Sequence, residues 1–288
     1  MKSLIGELLS EAPVVTDGAW GSLFLASGLA PDELGDAWNL THPERVEAVP
    51  RAYVEAGSRI VLTNTFRSNR ITLAGHGLAA KIKEINRAGV EISRRAAAGR
   101  ALVFASTGPT GRMLVTGETT REELLAVFGE QFEILAEAGA DALVLETMSD
   151  LEETRIAVEA ARRTGLPVVA CMVFDTGKNK DRTMMGVTPE QAAAGLAEAG
   201  ADVIGANCGQ GPAGYIPICR RMSAATELPL WIKPNAGIPE LVDGRTVYRT
   251  TPGEFAVQIP SVIEAGASFV GGCCGTTPEF IRAVASKL

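Results

Sequence analysis

Four stretches of the chain repeat one pattern: a helical run ending in Ala-Gly, a short apolar run, then a polar tip. They are AYVEAGSRIVLTNTF (52–66), ILAEAGADALVLET (134–147), GLAEAGADVIGANC (195–208) and VIEAGASFVGGCC (262–274). A glycine at this place stops a helix in a left-handed cap. The run after it has the length and character of a strand buried on both faces. Four further strands fit the same description: PVVTDG (13–18), ALVFASTGP (101–109), PVVACMVFD (167–175) and PLWIKPNAG (229–237). Helices are predicted over 43–56, 78–98, 120–138, 150–164, 189–199, 213–226 and 252–265, and a short amphipathic helix over the N-terminal residues. Thr188 and Thr251 each precede a proline and read as N-caps, with Pro189 and Pro252 in the first helical position.

Eight strands alternating with helices predict an α/β fold, a (β/α)8 TIM barrel formed by residues 1–288 as a single domain. A doubly wound open sheet is the competitor. It is disfavoured because the glycines of TDGAWGS after the first strand have the wrong spacing for a dinucleotide fingerprint, and no helix pattern begins there. In a barrel, active sites form at the C-terminal strand ends. The polar residues at those tips are Asp17, Asn64, Thr107, Glu146, Asp175, Asn207 with Cys208, Asn235, and Cys273 with Cys274.

Composition narrows the chemistry. The 288 residues are 46% hydrophobic and 21% charged, with a net charge of −7 and no basic block. Nucleic acid and anionic membranes are therefore not expected as partners. Glu7 and Glu11 interrupt the N-terminal apolar residues, and no uncharged run is long enough to span a bilayer. The expectation is a soluble cytoplasmic protein. The cysteines are Cys171, Cys208, Cys219, Cys273 and Cys274. An odd count with an adjacent pair argues for reduced thiols or thiolates rather than a disulfide framework.

Cys208, Cys273 and Cys274 lie at the tips of the sixth and eighth strands, at one mouth. Three thiolates and an open fourth position are the pattern of a catalytic zinc site. Adjacent strand residues point to opposite faces. Gly271, Gly272 and Gly275 would let the chain bend so that both sulfurs of the pair face inward. Buried apolar cysteines are the plain alternative. Zinc with three thiolates carries a net charge of −1, and a fourth, substrate thiolate makes it −2. Such a centre keeps the substrate sulfur nucleophilic and suits alkyl transfer better than hydrolysis. Asp17 and Glu146 could anchor an ammonium group or act as an acid–base pair. Each could also be a cap. Asn64, Asn207 and Asn235 could serve the site or close turns. His42 and His76 read as structural, and Met184 and Met185 as loop or core filler.

The strings DGAWGS (17–22), GDAWNLTHPE (35–44), AGSRIVLTNTF (56–66), TGPTG (107–111), ALVLET (142–147), GANCGQGP (205–212), KPNAG (233–237) and GGCCGTTPEFI (271–281) resemble the homocysteine S-methyltransferase family over essentially the whole chain. The likeness is closest to the homocysteine domain of cobalamin-dependent methionine synthase, and extends to betaine–homocysteine methyltransferase. The stretches 22–34 and 175–188 differ from the family's patterns. The resemblance implies a (β/α)8 barrel, zinc held by Cys208, Cys273 and Cys274, and the homocysteine sulfur in the fourth position. It implies that Asp17, the Gly18 backbone and Glu146 hold the amino-acid end, and that Asn235 fills the fourth position without substrate. Asn64 and Asn207 stand as further substrate-binding candidates. The expected reaction is methylation of homocysteine to methionine, with another small thiol as the alternative acceptor. The donor is a methylcorrinoid on a separate protein, S-methylmethionine, or methyltetrahydrofolate through such a partner. Two alternatives remain at this point: a corrinoid-linked methyltransferase with another substrate, and a non-catalytic barrel with structural zinc.

Overall fold

A computed structural model describes residues 3–30, 32–242 and 245–288. Met1, Lys2 and Pro31, which fall in the N-terminal segment and the 22–34 stretch, lie outside the described residues. The Ala-Gly repeats do what their composition demands. Gly57, Gly139, Gly200 and Gly266 all have left-handed backbone, with φ of 106°, 92°, 90° and 117°. Each ends a helix and turns the chain into a strand.

The strands are β1 (Val14–Val15), β2 (Ile60–Val61), β3 (Leu102–Thr107), β4 (Ala142–Met148), β5 (Val168–Met172), β6 (Val203–Asn207), β7 (Leu230–Lys233) and β8 (Ala267–Val270). They pair in parallel in the order β1-β8-β7-β6-β5-β4-β3-β2. A parallel bridge between Thr16 and Ile60, and an Arg59 N–H donated to the Val15 carbonyl at 2.8 Å, join the two ends. The fold is the expected (β/α)8 barrel. Helices Pro43–Glu55, Ile82–Ala97, Arg121–Glu137, Leu151–Arg162, Pro189–Ala199 and Pro212–Ser223 connect successive strands, and Pro278–Ala285 follows β8. Thr188 and Thr251 form capping boxes with Gln191 and Glu254.

Successive strand residues divide between two apolar layers. Phe104, Val144, Val169, Trp231 and Phe269 point into the barrel, while Val103, Leu143, Ala170, Ile232 and Val270 pack under the helices. Trp231 lies 5.9 Å from Phe104 and 5.4 Å from Phe269, ring to ring. Helix Ser3–Ser10 adds Ile5 and Leu8 to the inner layer and so plugs the N-terminal end of the barrel.

Some details depart from the sequence reading. The helix expected over 252–265 is two pieces, Pro252–Ala256 and Ile259–Glu264, because Pro260 in the first turn of the second cannot continue the first. A helix does begin after TDGAW, over Gly21–Ala26, but its six residues are too few to carry a readable period. The connection after β7 contains an antiparallel hairpin, Glu240–Val242 with Arg245–Val247. Met184 and Met185 are exposed loop residues, not core. Among the described residues no helix is long and apolar enough to cross a membrane.

Candidate functional site

The three cysteines converge at the mouth. Cys208 follows the last residue of β6, and Cys273 and Cys274 lie beyond β8 in a turn closed by Thr276 N–H on the Cys273 carbonyl at 3.1 Å. Their sulfurs lie within 4.8 Å of one another, with Cys208 Sγ and Cys274 Sγ 3.8 Å apart. Both sulfurs of the adjacent pair can face inward because they sit past the strand, where its alternation no longer applies. The end of β7 frames all three. The Cys208 amide donates to the Lys233 carbonyl (3.1 Å), Cys273 to Pro234 (2.7 Å), and Ala236 donates to the Cys274 carbonyl (2.9 Å). Close approach requires Gly271, where a Cβ would lie 2.1 Å from Thr16 Oγ1 and 2.6 Å from the Asp17 carbonyl. Gly275 has φ of 80° and lies against the Tyr248 ring.

Three thiols so close cannot all ionise without a cation among them. Contact with Cys208, and after it burial and the negative field around it, push the Cys273 thiol well up. A thiophilic ion would reverse that balance. The residues fit one: among the described residues this is the one group of three or more metal-ligating side chains at such spacing. In addition, Asn235 Oδ1 is buried with no hydrogen-bond partner. Cys171 and Cys219 stand apart, the first inside the barrel on β5, the second bonded to the Val262 carbonyl.

The carboxylates have different surroundings. Asp17 is fully buried, and both its oxygens are engaged. Oδ1 accepts Lys233 Nζ at 2.6 Å, and Oδ2 accepts Trp20 Nε1 and the Leu62 amide, each at 2.8 Å. Glu146 accepts a hydrogen bond from Ser106 Oγ. Burial raises its carboxyl above the ordinary value, against the opposing pull of Lys233 and Ser106. Burial also weighs most on Lys233, but Asp17 and Glu146 outweigh it and hold the ammonium above its usual range. Lys233 went unsingled in the sequence. A lysine closing the apolar run PLWIK was the available signal, since lysines are almost never buried unless paired.

Glu146 owes its aim to a bulge. Between Leu145 and Met148 strand β4 has one residue more than β5 opposite. Thr147 there has φ of 58°. A β-branched residue in the left-handed region is a strong outlier, costing about 1–3 kcal/mol. Cys208, across from it, has φ of 66°, and its carbonyl accepts Tyr215 Oη at 2.7 Å. Between the two sits Asn207. Its Oδ1 accepts the Thr147 amide at 2.7 Å, and its Nδ2 donates to Thr147 Oγ1 at 2.8 Å and toward Cys273 Sγ at 3.7 Å.

A cavity of about 390 Å³ opens on these groups. Cys208, Cys273, Cys274, Glu146, Gly18 and Asn64 line it together with Lys233 and the apolar walls Trp20, Phe24, Leu29 and Phe66. Asp17, Asn207 and Asn235 stand behind that lining. Gly18 has no room for a side chain, since a Cβ would lie 2.6 Å from Tyr53 Oη. Asn64 donates to the Gly35 carbonyl and to Asn39 Oδ1, both at 2.9 Å, which ties the β1 loop to the end of β2. Thr107 is buried at its strand tip, and Asp175 is exposed. Neither of these, and neither histidine, lines the cavity.

A (β/α)8 barrel with a cluster of three cysteines and a charged pocket at its mouth defines the class, an enzyme barrel. The chain belongs to the homocysteine S-methyltransferase family, whose model matches residues 14–288. It is 32% identical to the methionine synthase of Mycobacterium tuberculosis over 98% of this chain and 25% of that protein. It is 30% identical to betaine–homocysteine S-methyltransferase 1 of Danio rerio, over 86% of this chain and 65% of the relative. The chain thus spans a quarter of the first and under two thirds of the second. The metallated form of the Escherichia coli homocysteine methyltransferase MmuM has the same fold, with a TM-score of 0.82 at 24% identity over 98% of this chain and 99% of its own.

Proposed function

We propose that the chain transfers a methyl group to the sulfur of homocysteine, forming methionine, at a zinc ion held by Cys208, Cys273 and Cys274. The observation that carries this reading is the meeting of three sulfurs within 4.8 Å with Glu146 and Lys233 on one cavity. Zinc on three thiolates would bind a fourth sulfur as its thiolate, and the net negative charge of such a centre would leave that sulfur nucleophilic.

The chain's own residues do the rest. Asp17 and Lys233 neutralise each other; of the other carboxylates on the cavity, Glu33 is engaged by Trp38 Nε1 and Asp36 by Ser68 and the Arg67 amide, and Glu146, on the wall with the cysteines, is the one assigned to an ammonium group. Glu146 holds the amino end of homocysteine. Gly18 and Asn64 border that end, and Asp17 supports it through Lys233. Asn235, with its unpartnered oxygen, is the candidate for the fourth position while no substrate is bound. Trp20, Phe24, Leu29 and Phe66 exclude water from the sulfur, so that a methyl group arrives at a desolvated nucleophile.

The test is methionine formed from homocysteine with a panel of donors: betaine, S-methylmethionine, and methyltetrahydrofolate with a separate corrinoid protein. Formation with one of them supports the reading; a zinc-loaded protein silent with all of them sinks it. X-ray absorption separates a structural site. Sulfur coordination rising from three to four on adding homocysteine fits the enzyme, and a constant four fits a closed structural centre.

A further inference from the structure

We propose that Asn207 couples the metal centre to the amino-acid anchor, as a positioning residue that acts through Thr147 on one side and Cys273 on the other. The inference rests on the reading above and deepens it.

The orientation of the amide follows from its partners. The Thr147 N–H can only donate, so Oδ1 must face it. Nδ2 then has two hydrogens and two acceptors, Thr147 Oγ1 and Cys273 Sγ. Asn207 is fully buried, stands behind the cavity lining, and has no N–H left for a substrate. Its place in the site is therefore indirect.

What it holds is unfavourable without it. Thr147 is left-handed at φ of 58°, and that conformation creates the bulge that aims Glu146 into the cavity. Strained residues of this kind persist where their surroundings over-determine them. Asn207 supplies two such bonds at once, to the backbone and the hydroxyl of the same residue. The same amide reaches a metal-ligating sulfur, and the residue that follows it, Cys208, is another ligand held left-handed. One side chain thus fixes where the ammonium is bound and how Cys273 is presented.

The arms separate by substitution. Asn207→Ala removes both. Asn207→Asp keeps an oxygen for the Thr147 amide but sets oxygen in place of the N–H toward Cys273. Thr147→Gly in the alanine background lets the bulge form without strain. Two quantities are read on donor-free protein: zinc release to a chelator, and homocysteine affinity of the zinc-loaded form by calorimetry. Asn207→Ala is expected to speed zinc release by about 10- to 100-fold, the range for outer-shell partners. It weakens homocysteine binding by about tenfold or more as the bulge relaxes. Adding Thr147→Gly restores homocysteine affinity but not zinc retention. Asn207→Asp, the variant closest in shape, releases zinc fast while binding homocysteine better than the alanine variant.

Wild-type zinc release and affinity in Asn207→Ala overturn the proposal. So does a double variant whose affinity stays low, because Thr147 would then not be the link. Neither readout needs turnover. A wild type that retains zinc and binds homocysteine yet forms no methionine defeats the functional reading alone.

Discussion

The two ends of the barrel are built by opposite rules. At the N-terminal end, Ile5, Leu8, Phe104, Trp231 and Phe269 fill the interior with apolar side chains, and every residue does what its hydrophobicity dictates. At the mouth, Asp17, Lys233 and Asn207 are buried polar groups, Thr147 and Cys208 are left-handed, and three thiols crowd together. The closed end contributes stability through packing. The mouth places polar and strained groups where chemistry needs them, and each is held by a partner from a distant part of the chain. The Lys233–Asp17 pair spans 216 positions.

Substitutions can break that contrast, and their effects should rank accordingly. Cys208→Ala is the largest: zinc is lost to below one equivalent by elemental analysis, and methionine formation falls to background. Lys233→Met leaves a buried carboxylate without its cation and costs about 3–5 kcal/mol in denaturant unfolding. Retention of full stability would mean that Asp17 is solvated. Leu8→Ala belongs to the other end. It costs about 2–3 kcal/mol in the same measurement, while the homocysteine KM and zinc content stay at wild-type values. A changed KM would show that the two ends are not independent.

The smallest effect is in pH. Glu146 has its carboxyl raised by burial, so it takes up a proton at higher pH than a free glutamate. As pH falls through that raised value the negative charge disappears and the homocysteine KM rises several-fold. Glu146→Gln gives a KM that is high and flat over the same range. The stability linkage has the opposite sense. The native state binds this proton more tightly than the unfolded chain, so its contribution is full below the unfolded value and is lost as pH rises through the folded one. A homocysteine KM that falls with acidification would contradict both the anchor and its environment.

What the sequence made legible follows the same division. The strands and their order came from apolar runs and Ala-Gly caps, because packing and capping are local or periodic. The cysteines were visible through position, since a barrel sends all strand tips to one face. The lysine closing PLWIK was a local trace of a buried cation, but the partners of the ion pair and of the Asn207 amide left none. Lys233 pairs with Asp17, just beyond β1 and 216 positions away, and the left-handed Thr147 is bonded by a side chain from β6. Asn207 was expected against substrate, yet its amide is occupied by Thr147 and Cys273.

The frame at the end of β7 has a consequence for how the molecule opens. The amides of Cys208 and Cys273 are locked to the carbonyls of Lys233 and Pro234, and the Ala236 amide to the Cys274 carbonyl. These rungs fix the backbone that carries all three sulfurs, so an ion held by the three side chains would tie the rungs to one another. Hydrogen exchange at these amides should therefore behave as one cooperative unit, slowed in concert by zinc, while amides around the apolar plug keep their own pace. Metal loading would then register in the backbone as the joint closing of three strands.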